Sequence, residues 1–368
     1  MTVTEVKPNN LPEGPKPVSE PSYLQRVKAL WRLFAREDRV LVVITADPDS
    51  LGSAVAFRRL LWRKVSHVTV VSTNHIRRPD NLHLVNALKL KLPLLEEVDL
   101  AHYDKFVNID SQPRHSLLTA DLPFNAIIDH HPFDPSHYNP CESPEYLDIR
   151  PEFGATATIL ANYLKAARIK PNQTLATALF YGIKTDTQNF VRQGQLEDMV
   201  AFRWLYPLIN HSLLTTIERA PIDRGSFKVM LGALGQATFS KNYAYAFIEK
   251  LDHSDTLVLA ADFLMQINGV SRAVVSGVHD DKLVVVLRSA GLRSNLGNLA
   301  KAAFGAYGSA GGHKNMARAE IDLGELDYKS SGRRPNLSRF VAHRLTEALS
   351  RKSHAHHPDH SHTRGEKG

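Results

Sequence analysis

Three short, β-branched apolar runs in this chain each stop at an aspartate. Val40-Leu41-Val42-Val43-Ile44 runs into Ala46-Asp47-Pro48-Asp49, Phe106-Val107-Asn108-Ile109 ends at Asp110, and Ile127-Ile128 ends at Asp129-His130-His131. Runs this short and this β-branched suit buried strands better than helices. In open α/β sheets ligands bind at the carboxyl ends of the strands, so three acidic clusters at three strand ends are expected to converge on one edge. A carboxylate followed by two imidazoles can supply metal ligands and a proton donor at one point.

Between these runs the pattern changes to helical spacing. Leu24, Val27, Leu30, Trp31 and Phe34 predict an amphipathic helix over 23–35. Helices are also expected over 54–62, 155–167, 174–184 and 202–216, and a further strand over 67–71. This alternation predicts an α/β fold: a mostly parallel sheet with helices on both faces. Strand patterns at 244–248, 273–278 and 283–287, with helices expected at 256–267 and 296–304, predict a smaller α/β C-terminal domain. Leu337, Phe340, Val341, Leu345 and Leu349 mark a last amphipathic helix.

The chain has 368 residues, 43% hydrophobic and 23% charged, which suits a globular protein of two domains. It has no run of eighteen apolar residues, so no membrane span is expected. Residues 1–21, rich in proline and acid, read as a disordered arm and not a secretory signal. The single cysteine, Cys141, excludes an internal disulfide and fits a reducing compartment, so a cytoplasmic location is expected. His137 and Cys141 read as incidental loop residues. The net charge of +7 is compatible with phosphate-bearing partners, although much of the excess lies late in the chain. The tail from 353 to 368 carries five histidines and reads as disordered, with adventitious metal binding at most.

Within the first cluster, Pro48 stiffens the turn, Ser50 reads as the helix cap, and Gly52 and Ser53 would let backbone approach a ligand. In Thr185-Asp186-Thr187, two hydroxyls flank an acid and would orient it by hydrogen bonds. A glycine-rich turn, Gly311-Gly312-His313-Lys314-Asn315, follows Arg288-Ser289 and would offer N–H and cationic donors to a phosphate or carboxylate.

Taken in order, these clusters resemble the DHH phosphoesterase family. Gly311-Gly312-His313-Lys314-Asn315 after Leu287-Arg288-Ser289 resembles the glycine-glycine-histidine motif of the DHH-associated C-terminal domain. The likeness spans about Val40 to Ile321, and its layout is most similar to the branch of nanoRNases and pAp phosphatases. It implies a catalytic metal-binding domain over 22–200 and a helical linker over 201–232. A substrate-binding domain over 233–330, a C-terminal helix over 331–352 and the tail would follow.

The resemblance further implies a two-metal site, usually manganese, in a cleft between the domains, with Mg²⁺ or Co²⁺ as substitutes. Asp47, Asp49, Asp110, His130 and Asp186 would be its ligands, with Asp110 bridging. His131 would contact the phosphate or protonate the leaving oxygen, and Asp129, Thr185 and Thr187 would orient ligands. Arg288, Ser289, Gly311, Gly312, His313 and Asn315 would hold the other end of a short nucleotide or single-stranded oligonucleotide. Self-association is compatible with this layout.

Two positions depart from the family pattern. The family's first cluster normally has a histidine four residues before the first aspartate, where this chain has Val43. Without that imidazole, one tight and one weak metal site are expected. Arg318 stands where a small residue is usual. The expected activity is metal-dependent hydrolysis of phosphate esters in oligoribonucleotides, linear dinucleotides or nucleoside bisphosphates such as pAp. The alternatives are a nucleotide-binding protein without turnover and a pyrophosphate or polyphosphate hydrolase.

Overall fold

The computed structural model describes residues 20–76, 78–113, 117–133, 144–190, 196–222, 224–251, 254–291, 295–312, 314–324, 326 and 336–354. His137, Cys141, His313 and the histidine-rich tail beyond 354 lie outside them, as does the arm before residue 20. The chain divides into two compact units, Met1–Ala220 and Pro221–Gly368.

In the first unit, α1 (Tyr23–Trp31) starts from a capping box at Ser22 and Gln25. There follow β1 (Arg39–Ile44), α2 (Pro48–Leu60), β2 (His67–Ser72), α3 (Pro79–Ala87), β3 (Lys105–Ile109), β4 (Ala126–Asp129) and β5 (Tyr146–Ile149). Four helices complete it: α4 (Thr156–Ala166), α5 (Gln173–Asp186), α6 (Leu196–Leu205) and α7 (His211–Glu218). The strands form one parallel sheet in the order β2-β1-β3-β4-β5. The expected parallel α/β sheet is therefore present, with β5 and α3 as elements the periodicity did not mark. β5 escapes because it alternates buried and exposed over only four residues, next to a proline-rich stretch.

Alternation splits the β1 side chains between two cores. Val40, Val42 and Ile44 pack with Leu51, Phe57, Leu160, Leu179 and their neighbours on the helical face. Leu41 and Val43 pack with Val71, Leu95, Phe106, Phe124 and Ile127 on the other, which is flanked by short 3-10 turns such as Leu95–Glu97. Burying each such side chain is worth ~1.5–3 kcal/mol. With both faces buried, the register is fixed, and the carboxyl ends of β1, β3 and β4 come level.

The second unit begins with α8 (Arg224–Gly235), followed by β6 (Thr238–Ser240), β7 (Tyr243–Leu251), α9 (Asp255–Leu264), β8 (Arg272–His279) and β9 (Lys282–Ser289). It ends with α10 (Leu296–Phe304), β10 (Gly308–Gly312), β11 (Met316–Asp322) and α11 (Leu337–His354). Its mixed sheet has the order β10-β11-β9-β8-β7-β6, with β7 and β8 parallel around α9. Leu283, Val285 and Leu287 face α10 and α11, while Val284 and Val286 face α8 and α9. Residues 201–217 contribute Ala201, Leu205, Ile209 and Ile217 to the first unit's core, and Ala233 of α8 packs in the second unit.

Candidate metal centre

Each acid owes its position to a local backbone device. Asp47 is itself the cap of α2: its Oδ1 accepts from the Ser50 N–H at 2.9 Å, and Ser50 Oγ accepts from the Asp47 N–H at 2.9 Å. Ser50, expected as the cap, instead completes the box from inside the helix, because α2 starts at Pro48. Asp49 then falls in the first turn and is fully buried. Asp110 follows β3 in the left-handed region, with φ +63, which turns its carboxylate off the sheet. Asp129 is the last residue of β4, so His130 and His131 leave the strand together. Asp186 ends α5, two residues beyond the helix expected from the sequence.

These devices bring four of the expected ligands together. His130 Nε2 lies 3.4 Å from Asp186 Oδ2, 3.6 Å from Asp110 Oδ1 and 3.9 Å from Asp49 Oδ2. Ligand atoms of Asp49, His130 and Asp186 lie within 4.8 Å of one another, as do those of Asp110, His130 and His131. His130 Nδ1 is 3.2 Å from the Phe153 carbonyl, an acceptor only. Nδ1 must therefore carry the proton, which leaves the Nε2 lone pair for a cation in the neutral ring.

A segment that the sequence marked only as helical holds this cluster. The Thr156 and Ala157 N–H groups, at the start of α4, each donate to Asp49 at 2.7 Å, and Thr156 Oγ1 donates to Asp110 Oδ1 at 2.8 Å. Asp198, fully buried on α6, braces the same segment: it accepts from the Gly154 N–H at 2.9 Å and from Thr158 Oγ1 at 2.5 Å. A Cβ on Gly154 would lie 2.6 Å from Thr187 Cγ2 and 3.0 Å from Asp198 Oδ2, so the approach requires glycine. Across the site, Asp129 Oδ1 is 2.7 Å from His131 Nδ1 and accepts from the His130 N–H at 2.8 Å. Gln112 Nε2 donates to Asp129 Oδ2 at 2.8 Å. Thr156, Gln112 and Asp198 were not among the expected site residues. Gln112, two residues after Asp110, was the one with a positional signal.

The charges are crowded. Burial first, then the charge of Asp186, raises Asp49 to about 8 and Asp47 to about 6. Asp110 is raised well above the carboxylate range by burial and by Asp49, Asp47 and Asp186. Burial opposes a charge on His130, but its hydrogen bond to Asp186 and the surrounding carboxylates push it up to about 10. Without a metal, the His130 imidazolium thus serves as the cluster's cation. Burial would raise Asp129 too, but the charge and hydrogen bond of His131, the charge of His130 and Gln112 outweigh it and hold the carboxyl below its usual range.

Three expectations change. Thr185 and Thr187 donate to carbonyls of their own helix, Tyr181, Gly182 and Ile183, and not to Asp186. That is the ordinary outcome for a hydroxyl inside a helix. Gly52 serves helix packing: its Cβ would meet the Ala178 carbonyl oxygen at 3.0 Å. Val43 lies in the apolar layer with Leu41 and Phe106, paired in register with Asn108, whose two side-chain polar atoms are buried without a partner among the described residues.

In the second unit, Gly311 and Gly312 of the glycine-rich stretch end strand β10, paired with β11 by Gly311↔Arg318 and Gly312↔Ala317. Gly312 has φ +136. Arg288 Nε donates to Asp262 Oδ1 at 2.7 Å, and Ser289 Oγ accepts from the Gly291 N–H at 3.2 Å. Asn315 is buried, with its carbonyl accepting from the Ser289 N–H at 2.9 Å. Arg318 is engaged by Ser254, Asp255 and Glu320.

Residues 240–342 match the family model of the DHHA1 domain. The second unit therefore carries a DHHA1 domain. The uncharacterized protein MJ1633 of Methanocaldococcus jannaschii is 36% identical over 287 residues, 77% of this chain and 58% of that protein. The chain therefore spans less than two thirds of the curated relative's length. An exopolyphosphatase-related protein from Bacteroides fragilis superposes with a TM-score of 0.67 at 16% identity, over 90% of this chain and 97% of that one. The exonuclease RecJ bound to manganese gives 0.46 at 15% identity, over 94% and 97%. At 16% identity the first of these likenesses establishes the fold alone.

Proposed function

We propose that the first unit is a divalent-metal centre and that the chain is a phosphoesterase acting on short nucleotides: oligoribonucleotides, linear dinucleotides or nucleoside bisphosphates such as pAp. The observation that carries this is His130 Nε2, faced by the carboxylates of Asp49, Asp110 and Asp186 at 3.4–3.9 Å while Nδ1 is committed to a carbonyl. One imidazole nitrogen and three carboxylates form a hard donor set suited to Mn²⁺, with Mg²⁺ or Co²⁺ as substitutes. Their raised acids and raised histidine fit a site built to be neutralised by a cation.

Asp49, Asp110, His130 and Asp186 would hold the tighter ion, and Asp47 and Asp110 a weaker one. Bound there, divalent ions supply water activation and neutralise charge developing at phosphorus. The rest belongs to the protein. Asp129, fixed by Gln112 and the His130 N–H, keeps the His131 proton on Nδ1 in the neutral ring. Once protonated, His131 Nε2 would then be the group that donates to the phosphate or gives its proton to the leaving oxygen. The α4 N–H groups hold Asp49 ionised in the cation-bound state. Ser289, Gly311, Gly312, His313 and Asn315 of the second unit are proposed to hold the nucleotide's other end, with Arg288 shared with Asp262.

Purified protein with Mn²⁺ is assayed against dinucleotides, pAp, cyclic dinucleotides and pyrophosphate. Release from a dinucleotide or pAp, abolished by chelator, supports this reading. The burial of Val43 in the apolar layer favours a second reading, in which the weak ion is never bound and the protein holds nucleotides without turnover. Tight nucleotide binding with no release from any substrate would establish that reading, and release from pyrophosphate alone would move the substrate class.

A further inference from the structure

At the amino end of the first unit's sheet, away from the acids, lies a concavity of about 860 Å³. It is bordered by the end of α2, the end of α3, the start of β2 and the start of α5. Its basic lining is Arg58, Arg59, Arg63, His67 and Lys89, and no aspartate or glutamate lines it. Among the described residues the side chains of Arg58, Arg59, Arg63 and Lys89 make no hydrogen bond or ion pair. Asp38, whose carbonyl accepts from the Ser66 and His67 N–H groups, directs its carboxylate to the Ala35 N–H at 2.8 Å. Arg58 is partly buried there, and burial pulls its guanidinium below the ordinary value.

Cations at the ends of α2 and α3 are expected from the helix dipole. The dipole does not explain why the start of α5 (Asn172, Thr174, Leu175), the positive end of a 14-residue helix, faces the same space. Nor does it explain Trp62, which borders the concavity with 64% of its surface exposed. A partnerless guanidinium cluster beside an uncovered indole matches a ligand with phosphate at one end and a flat ring at the other. Concavities of about 300–1,000 Å³ take ligands of that size.

We propose that this concavity binds a nucleotide-class small molecule, with its phosphates on Arg58, Arg59 and Arg63 and its base on Trp62. The site is separate from the acid cluster. Asp49 and Arg58 are nine positions apart on α2, ~14 Å along the axis at 1.5 Å per residue. Thr174 and Asp186 are twelve apart on α5, ~18 Å. One mononucleotide cannot contact both ends. Those two helices carry Asp49 and Asp186, so whatever binds here touches the far ends of the elements that hold the metal ligands.

The test is tryptophan fluorescence and calorimetry on the full chain in EDTA, with ADP as the probe. ADP is expected to quench fluorescence along a one-site isotherm. Arg58→Ala/Arg63→Ala, and separately the exposed pair Arg59→Ala/Arg63→Ala, should each weaken binding at least tenfold. Trp62→Leu should abolish the quench and weaken calorimetric binding about 5- to 150-fold, the range for a base on an aromatic face. Asp110→Asn should leave the quench intact. Unchanged ADP affinity in both arginine pairs, or loss of the quench in Asp110→Asn, would overturn the proposal. So would inorganic phosphate competing as well as ADP, or a single-stranded oligonucleotide binding where ADP does not. None of these readouts depends on turnover, so the failure of this site and the failure of the phosphoesterase reading are separable.

Discussion

Asp198 cannot be a ligand of the proposed metals, yet its loss should be felt there. Its carboxylate holds the Gly154 N–H at 2.9 Å and Thr158 Oγ1 at 2.5 Å. The segment between those two residues supplies two N–H donors to Asp49 and the hydroxyl on Asp110. Its neighbour Phe153 supplies the carbonyl at His130 Nδ1. Asp198→Ala removes two hydrogen bonds to a charged acceptor, each worth ~1.5–3 kcal/mol, and leaves the buried Thr158 hydroxyl and the half-buried Gly154 N–H unmet. A loss of ~3–5 kcal/mol in folding stability is expected. Groups that orient metal ligands typically contribute 10- to 100-fold to affinity, so Mn²⁺ binding should weaken by about that much. Asp198→Asn, which keeps one acceptor, should recover part of both. The assay is calorimetric titration of Mn²⁺ into metal-free protein, beside thermal melts in EDTA. Thr158→Val serves as the comparison, because it breaks the Asp198 contact inside α4 while leaving the Gly154 bond. A variant Asp198→Ala that melts lower but binds Mn²⁺ within twofold of wild type would refute the idea that α6 positions the ligands through α4.

Asp110→Asn and Asp186→Asn should each abolish hydrolysis with the fold intact, Asn being tolerated at the left-handed φ of position 110; a circular dichroism melt and a turnover assay check both. His131→Ala should lower kcat by about 10²–10⁴ while leaving the tighter Mn²⁺ isotherm unchanged, which separates proton transfer from metal binding. Metal-free protein should lose stability as pH rises: Asp47 and Asp49, at about 6 and about 8, bind protons more tightly folded than unfolded. Their contribution is therefore whole below ~4, the ordinary carboxylate value, and gone by about pH 8. The raised His130 acts in the same direction, so melting in EDTA at pH 8 should fall below that at pH 5.5, and Mn²⁺ at pH 8 should restore it. A melting temperature that rises with pH in EDTA would contradict this.

The residues at the ends of apolar strands were legible in the sequence. Asp47, Asp49, Asp110 and His130 stand out because β-branched runs announce the strands before them, and parallel topology brings those ends level. Asp186 was legible only as an acid near a helix end. What could not be read was support from a distance. Thr156, Gly154 and Asp198 act through backbone N–H groups and through a contact 44 positions apart in the chain. Neither leaves a local pattern. Thr185 and Thr187 misled for the converse reason: proximity in sequence to Asp186 suggested a bond, but the helix backbone takes both hydroxyls. The glycine-rich stretch read as a turn because glycine weakens a strand signal; at Gly312, with φ +136, a Cβ would also lie 2.5 Å from the Met316 carbonyl oxygen, whereas Gly311 has open space around it. Val43 was legible as a departure from the family pattern, but its consequence was not. A histidine there would enter the layer of Leu41, Phe106 and Ile127 beside Asn108, so Val43→His is expected to cost stability instead of simply restoring a ligand.

The most direct measurement is an anomalous diffraction map at the manganese edge from crystals soaked in Mn²⁺. The expected result is a strong peak in bonding contact with His130 Nε2 and the carboxylates of Asp49, Asp110 and Asp186, with any second peak weaker and between Asp47 and Asp110. No peak at that cluster in crystals that hold Mn²⁺ elsewhere, or a peak confined to other side chains, would contradict a metal centre built on these four residues.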